Sequence, residues 1–169
     1  MEEDGKKLGR SSIAYLPQLE KITSSLTTFE TILLGLTKTL SWKVSEAQLA
    51  KVSQVIRELK LDAFANTPVR SLSGGQKQLV FLAQSFVSEP RLLLLDEPTS
   101  ALDVRHQLVV METVHRYCKK RNAVALYVIH DLMLASRFSD AVLFLHNGMA
   151  HAFDTPDAVL NSETIDPIY

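Results

Sequence analysis

Along this 169-residue chain the apolar positions follow two periods, and the change between them comes near residue 90. After a polar opening, Ile13-Ala14-Tyr15-Leu16 reads as a short strand stopped by Pro17, with Gln18 at its exit. Helical spacing follows. Thr27 and Glu30 form a T-x-x-E capping box ahead of Phe29, Ile32, Leu33 and Leu36, and Ser45 and Gln48 form an S-x-x-Q box ahead of Leu49, Val52, Val55, Ile56 and Leu59. Ser73 and Gly74 open a third helix carrying Leu79, Val80, Leu82, Ala83 and Phe86, which ends near Ser88 because Pro90 follows. Residues from about 27 to 88 are therefore mostly helical.

From Arg91 onward strands and helices alternate: an apolar run Leu92 to Leu95, a helix over 104–120, a second run Ala123 to Ile129, and a short helix over 131–139. Continuous apolar strands separated by helices predict a parallel sheet covered on both faces, an α/β fold. Asn147-Gly148 between two apolar runs predicts an antiparallel hairpin, and Thr155-Pro156-Asp157 starts a last helix with Thr as cap and Pro at the first position. No internal repeat, linker or low-complexity segment interrupts this order.

Composition narrows the classes. With 46% apolar and 22% charged residues the chain is globular rather than disordered, and its length corresponds to about one domain. The formal charge of −1 supplies no basic field for nucleic acid or an anionic membrane. Cys118 has no partner for an internal disulfide, and the acidic Met1-Glu2-Glu3-Asp4 is unlike a secretory signal, so a cytoplasmic setting is expected. The apolar runs fall far short of the ~20 residues of a spanning helix, so any membrane role is expected through a partner.

Two motifs carry candidate chemistry. Leu92-Leu93-Leu94-Leu95-Asp96-Glu97 places two carboxylates at the carboxyl edge of a parallel sheet, where ligands of open α/β folds bind. There Asp96 is suited to help hold Mg²⁺, and Glu97 to accept a proton from a water attacking a γ-phosphate; the plain alternative is two solvated acids ending a strand. Leu72-Ser73-Gly74-Gly75-Gln76 opens a helix with two glycines, whose free N–H groups and dipole suit an anion, against the plain alternative of a Ser-capped helix. The order of elements adds more than either motif. Gln18 precedes L-S-G-G-Q, Asp96 comes 20 residues after Gln76, Ser100-Ala101-Leu102-Asp103 follows Glu97-Pro98-Thr99, and His130 lies 33 residues after Glu97 at the exit of the next strand.

In this order the chain resembles the ATP-binding subunit of ABC transporters over nearly its whole length. Leu72, Ser73, Gly74, Gly75 and Gln76 look like the family signature, Leu92 to Glu97 like the Walker B strand, Ser100 to Asp103 like the D-loop, His130 like the switch histidine and Gln18 like the Q-loop glutamine. Stretches such as Phe29 to Gly35 and Leu102 to Leu108 look most like the ATPases of iron-siderophore, haem and cobalamin importers. The resemblance implies a partial P-loop NTPase fold in three parts. These are the remnant of an ATP-binding core over 1–18 ending in the Q-loop, a helical subdomain with the signature over 19–88, and core with Walker B, D-loop and switch histidine over 89–169.

It further implies ATP and Mg²⁺ as cofactors, with Asp96 and Gln18 as metal ligands, Glu97 and His130 as catalytic residues, and the signature with Asp103 binding nucleotide. Asp103 would reach the opposite subunit of a head-to-tail ATPase dimer, or serve simply as the N-cap of the next helix. The implied partners are a transmembrane permease, whose coupling helix enters a groove of the helical subdomain, and a second ATPase subunit. The implied location is peripheral at the cytoplasmic face of the plasma (inner) membrane, reached through the permease, and the implied role is uptake of a metal chelate such as an iron-siderophore.

G-x-x-x-x-G-K-[ST], which cradles phosphates, does not occur; Gly5 and Gly9 lack its spacing. By resemblance that loop would lie upstream of Met1, its strand beside the Leu92 strand, and the tail past Tyr169 is short by a strand or two. The chain alone is then expected to be inactive and poorly soluble. The alternative is a non-catalytic module, a pseudo-ATPase that supplies a signature in trans. A repair- or translation-type ABC ATPase is disfavoured by the near-neutral charge and the lack of coiled-coil heptads. His106, His115, His146 and His151 lack metal-ligand spacing and read as ordinary polar positions, and Lys119-Lys120-Arg121 as cations suited to a helix C-terminus.

Overall fold

A computed structural model describes residues 12–18, 24–37, 44–100 and 102–165, together with the backbone of 2–3, 6–7 and 38–39. Gly5, Gly9 and Ala101, for which expectations are given above, lie outside the described residues, as do residues 166–169. Contacts divide the chain into two units, Met1–Val128 and Ile129–Tyr169.

In the first unit, β1 (Glu2–Glu3) and β2 (Lys6–Lys7) form a small antiparallel pair. The main sheet is parallel, with β3 (Ile13–Leu16), β4 (Leu92–Asp96) and β5 (Val124–Val128) in the order β3-β4-β5. β4 is therefore hydrogen-bonded on both sides from within the chain. This corrects the expectation that a P-loop strand belongs beside the Leu92 strand: both ladders of β4 are taken, and an added strand can pair only at the outer edge of β3 or β5.

The helices begin where their caps say. Thr27 and Ser45 each complete a reciprocal capping box, starting α1 (Thr28–Leu33) and α2 (Glu46–Glu58). α3 (Gly74–Phe86) has a third box, Ser73 with Gln76, which the glycine pair had obscured in the sequence. α1 is shorter than its apolar spacing predicts, because the chain tightens into a 3₁₀ segment over Leu34–Thr39. Gly35 is the reason this turn fits: a Cβ there would overlap the Gln84 carbonyl oxygen and lie 2.6 Å from Val87 Cγ1.

α3 is the shared wall of two cores. Its Val80, Ala83 and the following Val87 pack with Ile32, Leu36, Val52, Ile56, Leu61, Val69 and Leu72. Its Leu82 and Phe86 pack with Leu16, Leu93, Leu95 and with Val110, Val114 and Tyr117 of α4 (Val104–Arg121). Phe86 stacks on Tyr117 at 4.0 Å, and the Tyr117 hydroxyl donates to the Pro90 carbonyl at 3.0 Å, which fixes α4 against the chain that enters β4. Burial pushes the Tyr117 phenol well up from its ordinary value, so it remains a donor.

The sheet is less covered than its apolar runs predict. β4 is buried at Leu92, Leu93 and Leu95, but on β5 Val124, Leu126 and Val128 are 57%, 62% and 54% exposed. β5 is the end strand of this three-stranded order, and its side chains alternate between exposed and half-buried, however apolar they are.

The second unit contains α5 (Leu132–Phe138), the antiparallel pair β6 (Val142–His146) and β7 (Met149–Asp154), α6 (Pro156–Val159) and α7 (Ser162–Ile165). The hairpin turns at Asn147-Gly148, both at positive φ (49° and 76°), as the dipeptide predicts. Thr155 precedes α6 with Pro156 at its first position, but its side chain makes no capping bond; its own amide donates to Asp154 Oδ1 at 2.7 Å. No helix among the described residues is long and apolar enough to cross a membrane.

Candidate functional site

Parallel pairing explains how the first group of polar residues meets. Leu16 is opposite Leu95 in the β3–β4 register, and Gln18 and Glu97 each lie two residues beyond that pair. Their side chains touch: Gln18 Nε2 donates to Glu97 Oε2 at 2.6 Å across 79 residues of sequence. Glu97 leaves the strand with φ at +45°, in the left-handed region, so the chain turns at once and its carboxylate stays at the sheet's edge. Ser100 holds the turn, its amide and hydroxyl both donating to the Glu97 carbonyl at 3.2 and 3.0 Å.

Asp96 ends β4 and takes a hydrogen bond from the Tyr15 hydroxyl at 3.2 Å. Tyr15 is opposite Leu94, so it shares a sheet face with Asp96 on the neighbouring strand. Desolvation first, then the hydrogen bond to Asp96 and its charge, raise the Tyr15 phenol above its ordinary value and keep it protonated. Tyr15 belongs to no motif in the sequence. The only signal was its position one residue before the strand's end, which becomes informative once the register is known.

A second group forms around the start of α3. The capping box commits the Ser73 hydroxyl to the Gln76 amide at 3.3 Å and the Gln76 side-chain oxygen to the Ser73 amide at 2.9 Å. Gly74 and Gly75, the first helical residues, have no intrahelical acceptor for their N–H groups. Asp103 caps α4, accepting from the His106 amide at 2.9 Å through Oδ1 and from His106 Nδ1 at 2.8 Å through Oδ2. These bonds, the backbone one first, hold the Asp103 carboxyl below its ordinary range. His106, an ordinary polar position on spacing alone, is thus a specific partner of Asp103.

His130 belongs to the second unit, two residues after β5 ends, and is exposed; the adjacent Asp131 caps α5, accepting from the Met133 and Leu134 amides at 2.9 and 3.1 Å. Of the predicted site residues, the structure brings Gln18, Asp96 and Glu97 into one group, and Ser73 to Gln76 and Asp103 lie at the N-termini of α3 and α4. Leu72, whose side chain is buried in the helical core, contributes packing.

Among the described residues no three His, Cys, Asp or Glu side chains converge as a metal-ligand set. The oxygen donors present, the Asp96 carboxylate and the Gln18 amide, fit a hard cation that keeps most of its ligands as water and phosphate oxygens. With the Gln18 Nε2 directed at Glu97, the amide oxygen is the atom left to face such an ion.

Comparison with known proteins bears on this arrangement. The family described as ABC transporter matches residues 1–100. An uncharacterised ABC transporter ATP-binding protein of Methanocaldococcus jannaschii is 36% identical over 157 residues, 93% of this chain and 61% of that protein. A hemin import ATP-binding protein of Rhodopseudomonas palustris is 39% identical over 124 residues, 69% of this chain and 47% of that protein. A solved structure described as an inward-facing conformation of a metal-chelate type ABC transporter superposes with a TM-score of 0.87 at 27% identity, covering 93% of this chain and 63% of that one. The chain thus spans about three fifths of the length of the M. jannaschii relative.

Proposed function

The chain belongs to the ABC transporter family, and from that premise we propose that it forms the signature and hydrolysis part of a transport ATPase that drives uptake of a metal chelate. The observation that carries the reading is the Gln18–Glu97 contact beside Asp96, which sets an amide and two carboxylates at the carboxyl edge of a parallel sheet. The likeness to a hemin import ATPase and to a metal-chelate type transporter supports the choice of cargo.

Each residue then has a task. Glu97 accepts the proton of the attacking water, and the Gln18 amide holds its carboxylate in one orientation. Asp96, held by Tyr15, and the Gln18 oxygen are the residues to hold Mg²⁺, which supplies charge neutralisation on the β- and γ-phosphates. By resemblance His130 takes the role of the switch histidine. Gly74 and Gly75 present N–H groups and the positive end of α3 to the nucleotide of an opposing subunit, and Asp103 faces that subunit from the start of α4. Residues 19–88 act as the helical subdomain that meets a permease, which is the chain's route to the cytoplasmic face of the membrane. The phosphate cradle, G-x-x-x-x-G-K-[ST], does not occur within these 169 residues.

Glu97→Gln tests the assignment in the assembled ATPase. Turnover is expected to fall at least ~10²-fold, the usual loss of a general base, with ATP binding retained. Retained turnover removes Glu97 from the role.

A further inference from the structure

The second glycine of L-S-G-G-Q is closed off by a side chain from α4. Gly75 is buried, and the Cβ of any other residue there would overlap the His106 imidazole, lying 2.6 Å from its Cγ and 2.9 Å from its Nε2. The same ring is tethered at Nδ1 to Asp103 Oδ2 at 2.8 Å, while the His106 amide takes the other carboxylate oxygen at 2.9 Å. Beside it, a Cβ on Gly74 would sit 3.6 Å from Leu102 Cδ2, in ordinary contact. Two successive signature positions therefore lie against the turn and first residues of α4.

We propose that His106 is a positioning residue, a clamp that fixes the turn bearing Asp103 to the N-terminus of α3 by packing on Gly75 while hydrogen-bonded to Asp103. Helix capping alone does not call for it. The cap needs only the His106 backbone N–H, which every residue but proline provides. Nor is the side-chain bond there for stability, because the two side chains are 39% and 66% exposed and exposed polar contacts of this kind stabilise little. What the imidazole adds is geometry. It spans from a committed carboxylate to a glycine with no room for a methyl group while the ring stays in place, and so ties the 102–103 turn to the Gly74–Gly75 amides. On the reading proposed above, both elements face the nucleotide held by an opposing subunit, and a shift of about 1 Å there lowers the reaction rate as much as 10²-fold. The clamp also assigns a cost to Gly75→Ala that does not depend on lost contact with a phosphate: the methyl group drives the ring off Asp103.

Two measurements test this, one of them independent of the ATPase. In the assembled ATPase, His106→Ala is expected to lower kcat about tenfold or more with the KM for ATP within about twofold, since the opposing subunit holds the nucleotide. His106→Asn keeps an N–H near the Nδ1 position and is expected to recover kcat to within about threefold of the unaltered protein. An unaffected Ala variant, or an Asn variant no better than Ala, overturns the clamp. In thermal unfolding of the full chain, Gly75→Ala is expected to lower Tm by a few degrees alone and by clearly less in a His106→Ala background. Additive shifts overturn the packing of His106 on Gly75. If the assembly with the unaltered chain hydrolyses no ATP, the proposed function falls, and the unfolding cycle decides the clamp separately.

Discussion

Glu97 is held at a φ of +45°, where an L-residue with a Cβ costs about 1–2 kcal/mol and glycine costs almost nothing. The consequence is an inversion of the usual ranking of alanine and glycine. Glu97→Ala and Glu97→Gly both delete the carboxylate and with it the bond from Gln18 at 2.6 Å, so that loss cancels between them. What remains is relief of about 1.5 kcal/mol of backbone strain in the glycine variant, set against about 0.7 kcal/mol for the greater freedom of glycine in the unfolded chain. Glu97→Gly is therefore expected to be the more stable variant by about 0.8 kcal/mol. With a urea m-value of about 2 kcal/mol/M, the midpoints should differ by about 0.4 M. Glu97→Asn should fall between the two, because asparagine tolerates the left-handed region better than alanine. A control at Ala50, exposed within α2, gives the opposite sign: Ala50→Gly should cost about 1 kcal/mol. Urea unfolding followed by circular dichroism at matched m-values measures all four. An alanine variant at 97 as stable as the glycine variant would refute the reasoning, because residue 97 would then not be confined to the left-handed region. All three substitutions at 97 should abolish turnover whatever their stability, so the strained backbone is kept for the position of the carboxylate.

Gly35→Ala forces a methyl group against the Gln84 carbonyl and Val87, and is expected to destabilise by about 1–3 kcal/mol in the same assay; a neutral result would show that the 3₁₀ segment and α3 separate at low cost. The carboxyls of Glu89, bonded to Lys51 with Arg121 adjacent, and of Glu58, bonded to Lys120 and Gln54, are held below their ordinary value of 4.5. Their stabilisation is fully present above about pH 4.5 and is lost as pH falls through the lowered folded-state values. Urea midpoints should thus drop on acidification below about pH 4.5, and Glu89→Gln should make that limb shallower; an unchanged limb would show that these pairs are fully screened. Leu126→Thr, at a position 62% exposed on β5, should raise the concentration at which the chain stays soluble while changing stability by no more than about 0.5 kcal/mol. A loss above 1 kcal/mol would mean the side chain is covered.

The chain's local chemistry was decided by sequence alone. Capping boxes at Thr27 and Ser45 and the Asn147-Gly148 turn are short-range signals satisfied by neighbours within four residues, and the apolar run ending in Asp96-Glu97 marks a strand by its composition, so all were legible without a fold. The order of the motifs likewise pointed to the family. Contacts between distant segments were settled only by tertiary structure. Tyr15 meets Asp96 and Gln18 meets Glu97 because two strands pair in one parallel register, and no local pattern states a register across about 80 residues. The flanking of β4 from both sides depends on strand order, which apolar runs do not encode. The exposure of β5 and the seat of His106 on Gly75 depend on which helices pack where, and the same alternation of residues is compatible with a covered or an open face until the packing is known.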